Sequence, residues 1–400
     1  MHTRPIGGHV ANMESLPNFA PINATVNGHN LTVLVSGADR LAMLLDQINS
    51  AKRTLRLFFY IFAGDAVGVS VRDTLIAAAD RGVKVTLMID GFGSSGLPTN
   101  FFDSLTAKGA TFCRFVPRMG RRYLLRNHQK IVIADKTHAV IGGTNIAETY
   151  FADDLQGNSW HDLFLLVEGP MVARLARYYD LLAAWTKGDT GGFRGLVRLL
   201  QRRSDTKGNL RWLFNGPFRR LSPLTRSLRR DLDAAKQVDM IQAYFAPNWG
   251  MLRKLSKVAR RGGILRLITA ARSDNRMTIA AARHCYRRLL RSGAEVAEYR
   301  PQMLHMKLII IDNIVYIGSA NFDMRSLFVN AEVMLRIEDA GFAEKMRAFT
   351  GQHMPHCQVI TKARLKANST WWWRFRCRMS YYMVSTLDFT VTRRLSLWND

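Results

Sequence analysis

What most constrains this chain of 400 residues is a constellation that occurs twice, near the end of each of two similar stretches. The first copy is His128-Gln129-Lys130, four residues, Asp135, then Gly142-Gly143-Thr144-Asn145. The second is His305-Met306-Lys307, four residues, Asp312, then Gly318-Ser319-Ala320-Asn321. The elements before each copy also recur. Helical spacing of Leu44, Leu45 and Ile48 predicts a helix over 41–51, and an unbroken apolar run predicts a buried strand over 57–62. A helix over 69–81 closed by Gly82, a strand over 83–89, and a helix over 101–107 closed by Gly109 complete the unit. In the second unit Leu232, Ala235 and Lys236 answer Ile48, Ala51 and Lys52, and 242–245 answers the first strand. Arg260-Arg261-Gly262 answers Asp80-Arg81-Gly82, and Ser292-Gly293-Ala294 answers Lys108-Gly109-Ala110. The expected fold is therefore α/β, with two repeats that are each a mixed sheet flanked by helices. A pseudo-twofold would relate them, with one site at their interface.

Strand geometry shows what such a site could do. Residues i and i+2 share a face, so His128 with Lys130, and His305 with Lys307, project together where an apolar strand starts. Asn145 and Asn321 follow the aspartates by ten and nine residues, enough for a turn and a returning strand. Two such sets bring two imidazoles, two ammonium groups and two amides to one pocket. Cations and amide donors stabilise the non-bridging oxygens of a phosphoryl group. One imidazole can attack phosphorus while the other protonates the leaving oxygen. A single copy of the pattern would be weak evidence, because a histidine at a strand start is usually structural. Its duplication at matching places is what makes it specific.

These residues resemble the phospholipase D superfamily, whose signature is a pair of HxKxxxxD motifs, and within it the bacterial cardiolipin synthases. The resemblance covers about residues 30–350. It extends to Tyr60-Ile61-Phe62, Asp90-Gly91-Phe92-Gly93-Ser94, Ala243-Tyr244-Phe245-Ala246-Pro247 and Asp323-Met324-Arg325-Ser326-Leu327, with Asn330 and Glu332 after it. It implies metal-free and cofactor-free transfer through a phosphohistidine, with His128 as nucleophile and His305 as general acid and base. The motif residues His128, Lys130, Asp135, His305, Lys307 and Asp312 form the implied catalytic set. Asp135 and Asp312, at the far ends of their strands, are expected to brace structure. Asn145, Asn321 and Ser319 are the expected substrate-binding residues. Asp162 and Glu332 are the expected acceptors that fix the imidazoles. His161 is read as a neighbour only, and Thr144, where serine is common, as a small departure.

Charge and tail composition bear on the partner. Lys and Arg number 57 against 31 Asp and Glu, a net charge of +26 that calls for an anionic partner. An anionic phospholipid such as phosphatidylglycerol, on a membrane surface, is the expected one. Nucleic acid would suit the charge equally, through Arg219-Arg220, Arg229-Arg230, Arg260-Arg261 and Arg287-Arg288, but no aromatic-interleaved nucleic-acid module is visible. Four separated cysteines exclude a disulfide scaffold, and His353, His356 and Cys357 lack a fourth metal ligand. No secretory leader and no spanning helix is expected, which points to a peripheral enzyme on the cytoplasmic face of the bacterial inner membrane. The chain divides into an N-terminal segment (1–30), a first repeat (31–186), a Gly/Arg-rich linker or loop (187–212), a second repeat (213–360) and a basic, aromatic membrane-interface tail (361–400). At 100° per residue, Trp371, Trp372, Phe375, Met379, Tyr382 and Met383 fall on one side of a tail helix and Arg374 and Arg378 on the other. Whether that helix enters a membrane or packs on the protein is open at this level. So is whether water or a lipid hydroxyl accepts the phosphatidyl group. The site would be complete within one chain.

Overall fold

The computed structural model describes residues 16–116, 125–154, 158–188, 192–218, 221–367 and 370–387. The Arg219-Arg220 pair, Trp398, Asp388 and the end of the tail lie outside these residues.

Two eight-stranded mixed sheets share one plan. In the first, the spatial order is Ile22–Val26, His29–Leu34, Phe164–Glu168, His138–Gly142, Ile131–Ala134, Thr54–Phe59, Lys84–Asp90, Thr111–Phe115. In the second it is Leu210–Asn215, Glu332–Glu338, Ile314–Gly318, Lys307–Ile311, Gln237–Gln242, Ile264–Ala270, Glu295–Tyr299, Cys357–Val359. The strands that follow the two histidines have equivalent neighbours in each, antiparallel on one side to the returning hairpin strand and on the other to Thr54–Phe59 or Gln237–Gln242. Both faces of each sheet are buried, which is why these strands read as unbroken apolar runs. One face of each contributes to a common core containing Ile131, Ile141 and Leu165 from the first repeat and Leu308, Ile317 and Leu335 from the second. Each outer face is covered by its own helices.

The motif aspartates staple this framework. Asp135 and Asp312 sit in hairpin turns with φ of 51° and 48°. The Asp135 carboxylate accepts from the backbone N–H groups of Lys52, Arg53 and Thr54 at 2.7–2.8 Å. Asp312 likewise accepts from Lys236 and Gln237. Each thus ties the motif hairpin to the start of the neighbouring strand. This corrects their place in the catalytic set: they lie at the strand ends remote from the histidines and face backbone donors.

Two other expectations change. The segment read as a linker or loop contains a helix, Gly192–Arg203, seated on the common core through Leu196 and Leu200. Its glycine and arginine content hid the Leu196/Leu200 spacing of one turn. The first strand of the unit is Thr54–Phe59, three residues earlier than 57–62, and its counterpart is Gln237–Gln242, earlier than 242–245. Asp239 breaks its apolar run, although it is buried between Arg266 (3.0 Å) and Arg347 (3.2 Å).

The tail helix Trp371–Tyr382 packs on the helix Arg276–Arg291 through Cys377 and Ser380, which are buried. The Tyr381 ring stacks on His284, and its hydroxyl donates to the Pro247 carbonyl at 2.8 Å. Thr370 caps the N-terminus by accepting from the Trp373 N–H. No helix among the described residues is long and apolar enough to cross a membrane.

Candidate active site at the interface of the repeats

The two histidine segments are held by the opposite repeat. The His128 N–H donates to the Ala331 carbonyl (2.9 Å), and the His305 N–H donates to the His161 carbonyl (2.8 Å). Ala331 and His161 each immediately precede a carboxylate. The imidazoles therefore meet those carboxylates: His128 Nδ1 lies 3.2 Å from both oxygens of Glu332, and His305 Nδ1 lies 2.7 Å from Asp162 Oδ2. Each half supplies a histidine of its own and the acceptor for the other half's histidine. With Nδ1 donating to a carboxylate, the lone pair of the neutral ring resides on Nε2, the nitrogen left to react.

The lysines rise from the same strand starts. Lys130 Nζ donates to the His128 carbonyl (2.6 Å) and lies 5.2 Å from the centre of the Tyr60 ring. Lys307 Nζ donates to the His305 carbonyl and lies 2.8 Å from His305 Nδ1. Aromatic rings enclose the imidazoles, with Tyr60 edge-on to His128 (4.9 Å) and Tyr150 and Trp160 edge-on to His305 (5.3 and 5.1 Å).

Burial governs the protonation states. It lowers the pKa of His128, reinforced by Lys130 and only partly opposed by Glu332. Burial and Lys307 press His305 down to about 3 despite Asp162. Both rings are therefore neutral near pH 7. Burial brings Lys307 down to about 8, although Asp162 and Glu332 favour its charge, and takes Lys130 well below the ordinary lysine value. Burial disfavours the Asp162 anion, but Lys307 and His305 outweigh it and hold its pKa below the ordinary value. The pocket sets two desolvated lysines beside two neutral imidazoles and two buried carboxylates, and an entering phosphodiester would favour the charged form of the lysines.

Not every expected binding residue is free to bind. Ser319 Oγ donates to Glu332 Oε2 (2.5 Å) and accepts from the Val333 N–H (3.1 Å). Its hydroxyl thus braces the carboxylate that holds His128, a correction to its expected place among the substrate-binding residues. Asn145 Oδ1 accepts from the Ile61 N–H (3.1 Å) and Nδ2 donates to the Tyr150 hydroxyl (2.9 Å), which leaves one amide hydrogen uncommitted. Asn321 is buried with Oδ1 lacking a hydrogen-bond partner among the described residues. His161 Nε2 meets His353 Nε2 at 2.9 Å.

Four contributors carried no role in the sequence reading. Gly143 occupies the place of Ser319 in the first repeat. A Cβ there would stand 2.6 Å from Asp162 Oδ2 and 2.8 Å from Lys307 Nζ, so only glycine leaves them room. Arg40, fully buried, donates to Thr144 Oγ1 (2.7 Å) and the Val35 carbonyl (3.1 Å). Thr144 is therefore an anchor and more than a small departure. Asp90 accepts from the Asn127 N–H (2.9 Å) beside His128 and from the Phe92 and Gly93 N–H groups. Tyr150 reaches both Asn145 and His305. Of these, Asp90 had a local signal in its Asp-Gly-Phe-Gly turn; Arg40 and Tyr150 depend on long-range packing.

The family described as "Cardiolipin synthase, PLD-like domain" matches residues 44–179 and 228–353. The chain is 29% identical to a cardiolipin synthase of Halalkalibacterium halodurans over 335 residues, covering 82% of this chain and 66% of that protein's length. It is 28% identical to cardiolipin synthase B of Escherichia coli K12 over 353 residues, covering 86% and 85%. Among solved structures, phosphatidylserine synthase of Haemophilus influenzae superposes with a TM-score of 0.73 at 14% identity, over 91% of this chain and 95% of that one. That last likeness concerns the fold alone.

Proposed function

Since this chain belongs to the family of cardiolipin synthase, phospholipase D-like domains, we propose that it is a phosphatidyltransferase that joins two molecules of phosphatidylglycerol into cardiolipin and releases glycerol. The observation that carries the reading is the reciprocal pairing of His128 with Glu332 and His305 with Asp162 across the repeats. It supplies two neutral imidazoles, each with its Nδ1 proton held by a carboxylate, beside two buried lysines.

In this mechanism the phosphodiester of the first lipid enters between Lys130 and Lys307, with an amide hydrogen from Asn145 or Asn321 on a non-bridging oxygen. The lipid's negative charge raises the pKa of His305, which arrives at attack protonated. His128 Nε2 attacks phosphorus, and the bond from phosphorus to the glycerol oxygen breaks. That oxygen takes the proton of His305 Nε2, and glycerol leaves. The positive charge on the phosphorylated ring is met by Glu332 at Nδ1. A hydroxyl of the second phosphatidylglycerol then loses its proton to His305 and attacks phosphorus. The phosphorus–nitrogen bond breaks, cardiolipin forms and His128 is restored. No metal or cofactor takes part.

The chain would work as a peripheral protein on an anionic bilayer at the cytoplasmic face, with residues 31–186 and 213–360 as its two repeats and the exposed stripe of the helix Trp371–Tyr382 facing the lipid. Its charge of +26 supports that placement. The deciding experiment incubates the protein with phosphatidylglycerol vesicles and identifies products by lipid mass spectrometry. Cardiolipin with equimolar glycerol is expected. Phosphatidic acid would make the enzyme a hydrolase of the same chemistry. Cleavage of single-stranded DNA with no lipid product would make it a nuclease.

A further inference from the structure

A second feature lies outside the catalytic pocket, where the helices Arg276–Arg291, Lys362–Ala367 and Trp371–Tyr382 meet. They enclose a groove of about 850 Å³. Seven Lys or Arg residues line it, among them Arg287, Arg291, Lys362 and Arg378, and among the described residues no acidic one does. Its apolar lining comes from Leu290, Leu365, Trp373 and Cys377. One lining arginine, Arg283, is already engaged bidentately by Glu298. Cations around an apolar floor form a receptor for an anionic headgroup with its acyl chains alongside.

The neighbouring surface points the same way. The helix Trp371–Tyr382 turns Cys377 and Ser380 inward and leaves Trp371 and Trp372 66% and 71% exposed. Phe375, Met379, Tyr382 and Met383 continue that exposed apolar stripe. Folded soluble chains seldom leave such a patch uncovered. Arg374, Arg376 and Arg378 flank it, also exposed. The helix is tied to the catalytic pocket, because Tyr381 bonds to Pro247, three residues beyond Tyr244, whose ring stands 6.3 Å from that of His305. Exposed Trp249 follows on the same segment.

We propose that this groove and the aromatic stripe beside it form a docking surface for an anionic bilayer, which seats a phospholipid headgroup outside the catalytic pocket and sets the Tyr244 side of that pocket against the membrane. The proposal rests on the lipid-transfer reading and adds to it a second lipid site and an orientation. Charge selects the occupant. A second copy would bring one seven-cation groove against another, whereas an anionic leaflet complements it and its acyl region takes up the tryptophans.

The test is co-sedimentation of the full chain with vesicles of phosphatidylcholine alone or mixed with phosphatidylglycerol. The mixed vesicles should bind at least tenfold more tightly. Each cation near an anionic surface is worth about fivefold in binding, so Arg287→Glu/Arg291→Glu/Arg378→Glu should lose at least a hundredfold on mixed vesicles with little change on neutral ones. Trp371→Ser/Trp372→Ser/Phe375→Ser should weaken both. In the unaltered protein, brominated lipid should quench tryptophan fluorescence, a readout that needs no variant to fold. Binding to mixed vesicles unchanged in both variants, or serine variants that only convert a dimer to a monomer, would overturn the proposal. Vesicle binding is read without turnover: a chain that docks as described but makes no cardiolipin would sink the transferase reading and keep the docking surface.

Discussion

Replacing Glu332 by Gln should disable the histidine that lies 204 positions earlier in the chain, and by an amount the geometry sets. When His128 takes the phosphoryl group its ring becomes cationic, with Glu332 at 3.2 Å from Nδ1. At an effective dielectric constant of about 20, opposite unit charges at that separation attract by about 5 kcal/mol. The amide variant keeps the shape and forfeits the charge. The expected loss in the attack step is therefore about a thousand- to ten-thousand-fold, similar to the loss when the aspartate of a Ser-His-Asp triad becomes asparagine. The assay is acid quench of the enzyme with labelled phosphatidylglycerol, which counts phosphohistidine, alongside lipid mass spectrometry of the product. Both should fall together in Glu332→Gln. Asp162 lies only 2.7 Å from His305, so Asp162→Asn should cost the proton-transfer steps at least as much. A Glu332→Gln enzyme within tenfold of the unaltered one, or one that still labels His128 at the original rate, would show that the crossed carboxylate does not support the attack.

Other outcomes follow from the same contacts. Gly143→Ala should reduce turnover at least a hundredfold with the melting temperature little changed, because the methyl displaces Asp162 and Lys307 and leaves the core intact. Ser319→Ala removes the hydroxyl donor to Glu332 and should lower kcat by about tenfold with KM unchanged, consistent with a neutral–charged hydrogen bond of about 1.5 kcal/mol. Asp135→Asn should lower the melting temperature by several degrees while the surviving folded enzyme keeps its kcat. Burial opposes the Asp135 anion, but the Lys52, Thr54 and Arg53 amides together outweigh it and hold its pKa below the ordinary carboxylate value. The stability it contributes is therefore complete above the unfolded-state value and disappears as the pH falls through the folded one, which a pH series of thermal melts would detect. With Lys307 at about 8, kcat/KM should decline above that pH as the ammonium loses its proton; a flat profile to pH 10 would remove Lys307 from phosphate binding.

Much of the fold was legible because its signals are local. Strands buried on both faces read as apolar runs, and helices closed by Gly82 and Gly262, with φ of 84° each, announce their ends. Where a buried polar residue interrupts a strand, as Asp239 does, the pattern misleads by several positions. The Gly192–Arg203 helix was hidden for a related reason: two buried leucines anchor it, and composition averages them away. The tail illustrates the limit of amphipathic reasoning. Its stripe was correctly drawn, but the same helix has a second, inward face made of small and half-polar side chains.

The amino-acid order by itself pointed to two imidazoles and two lysines just ahead of, or at the start of, two equivalent buried strands, because residues two apart in extended chain share a face and the pattern occurs twice. It determined, too, that a pair of aspartates ends those strands. What only the tertiary structure decided is who partners whom: Glu332 with His128, Asp162 with His305, Ser319 with a carboxylate in place of a ligand, and a glycine where a side chain would collide with Asp162. Strand periodicity is written in neighbouring residues, whereas these pairings arise when two sheets bury a common core and bring together groups 143 and 204 residues apart. No local pattern encodes a contact at that range; packing selects it.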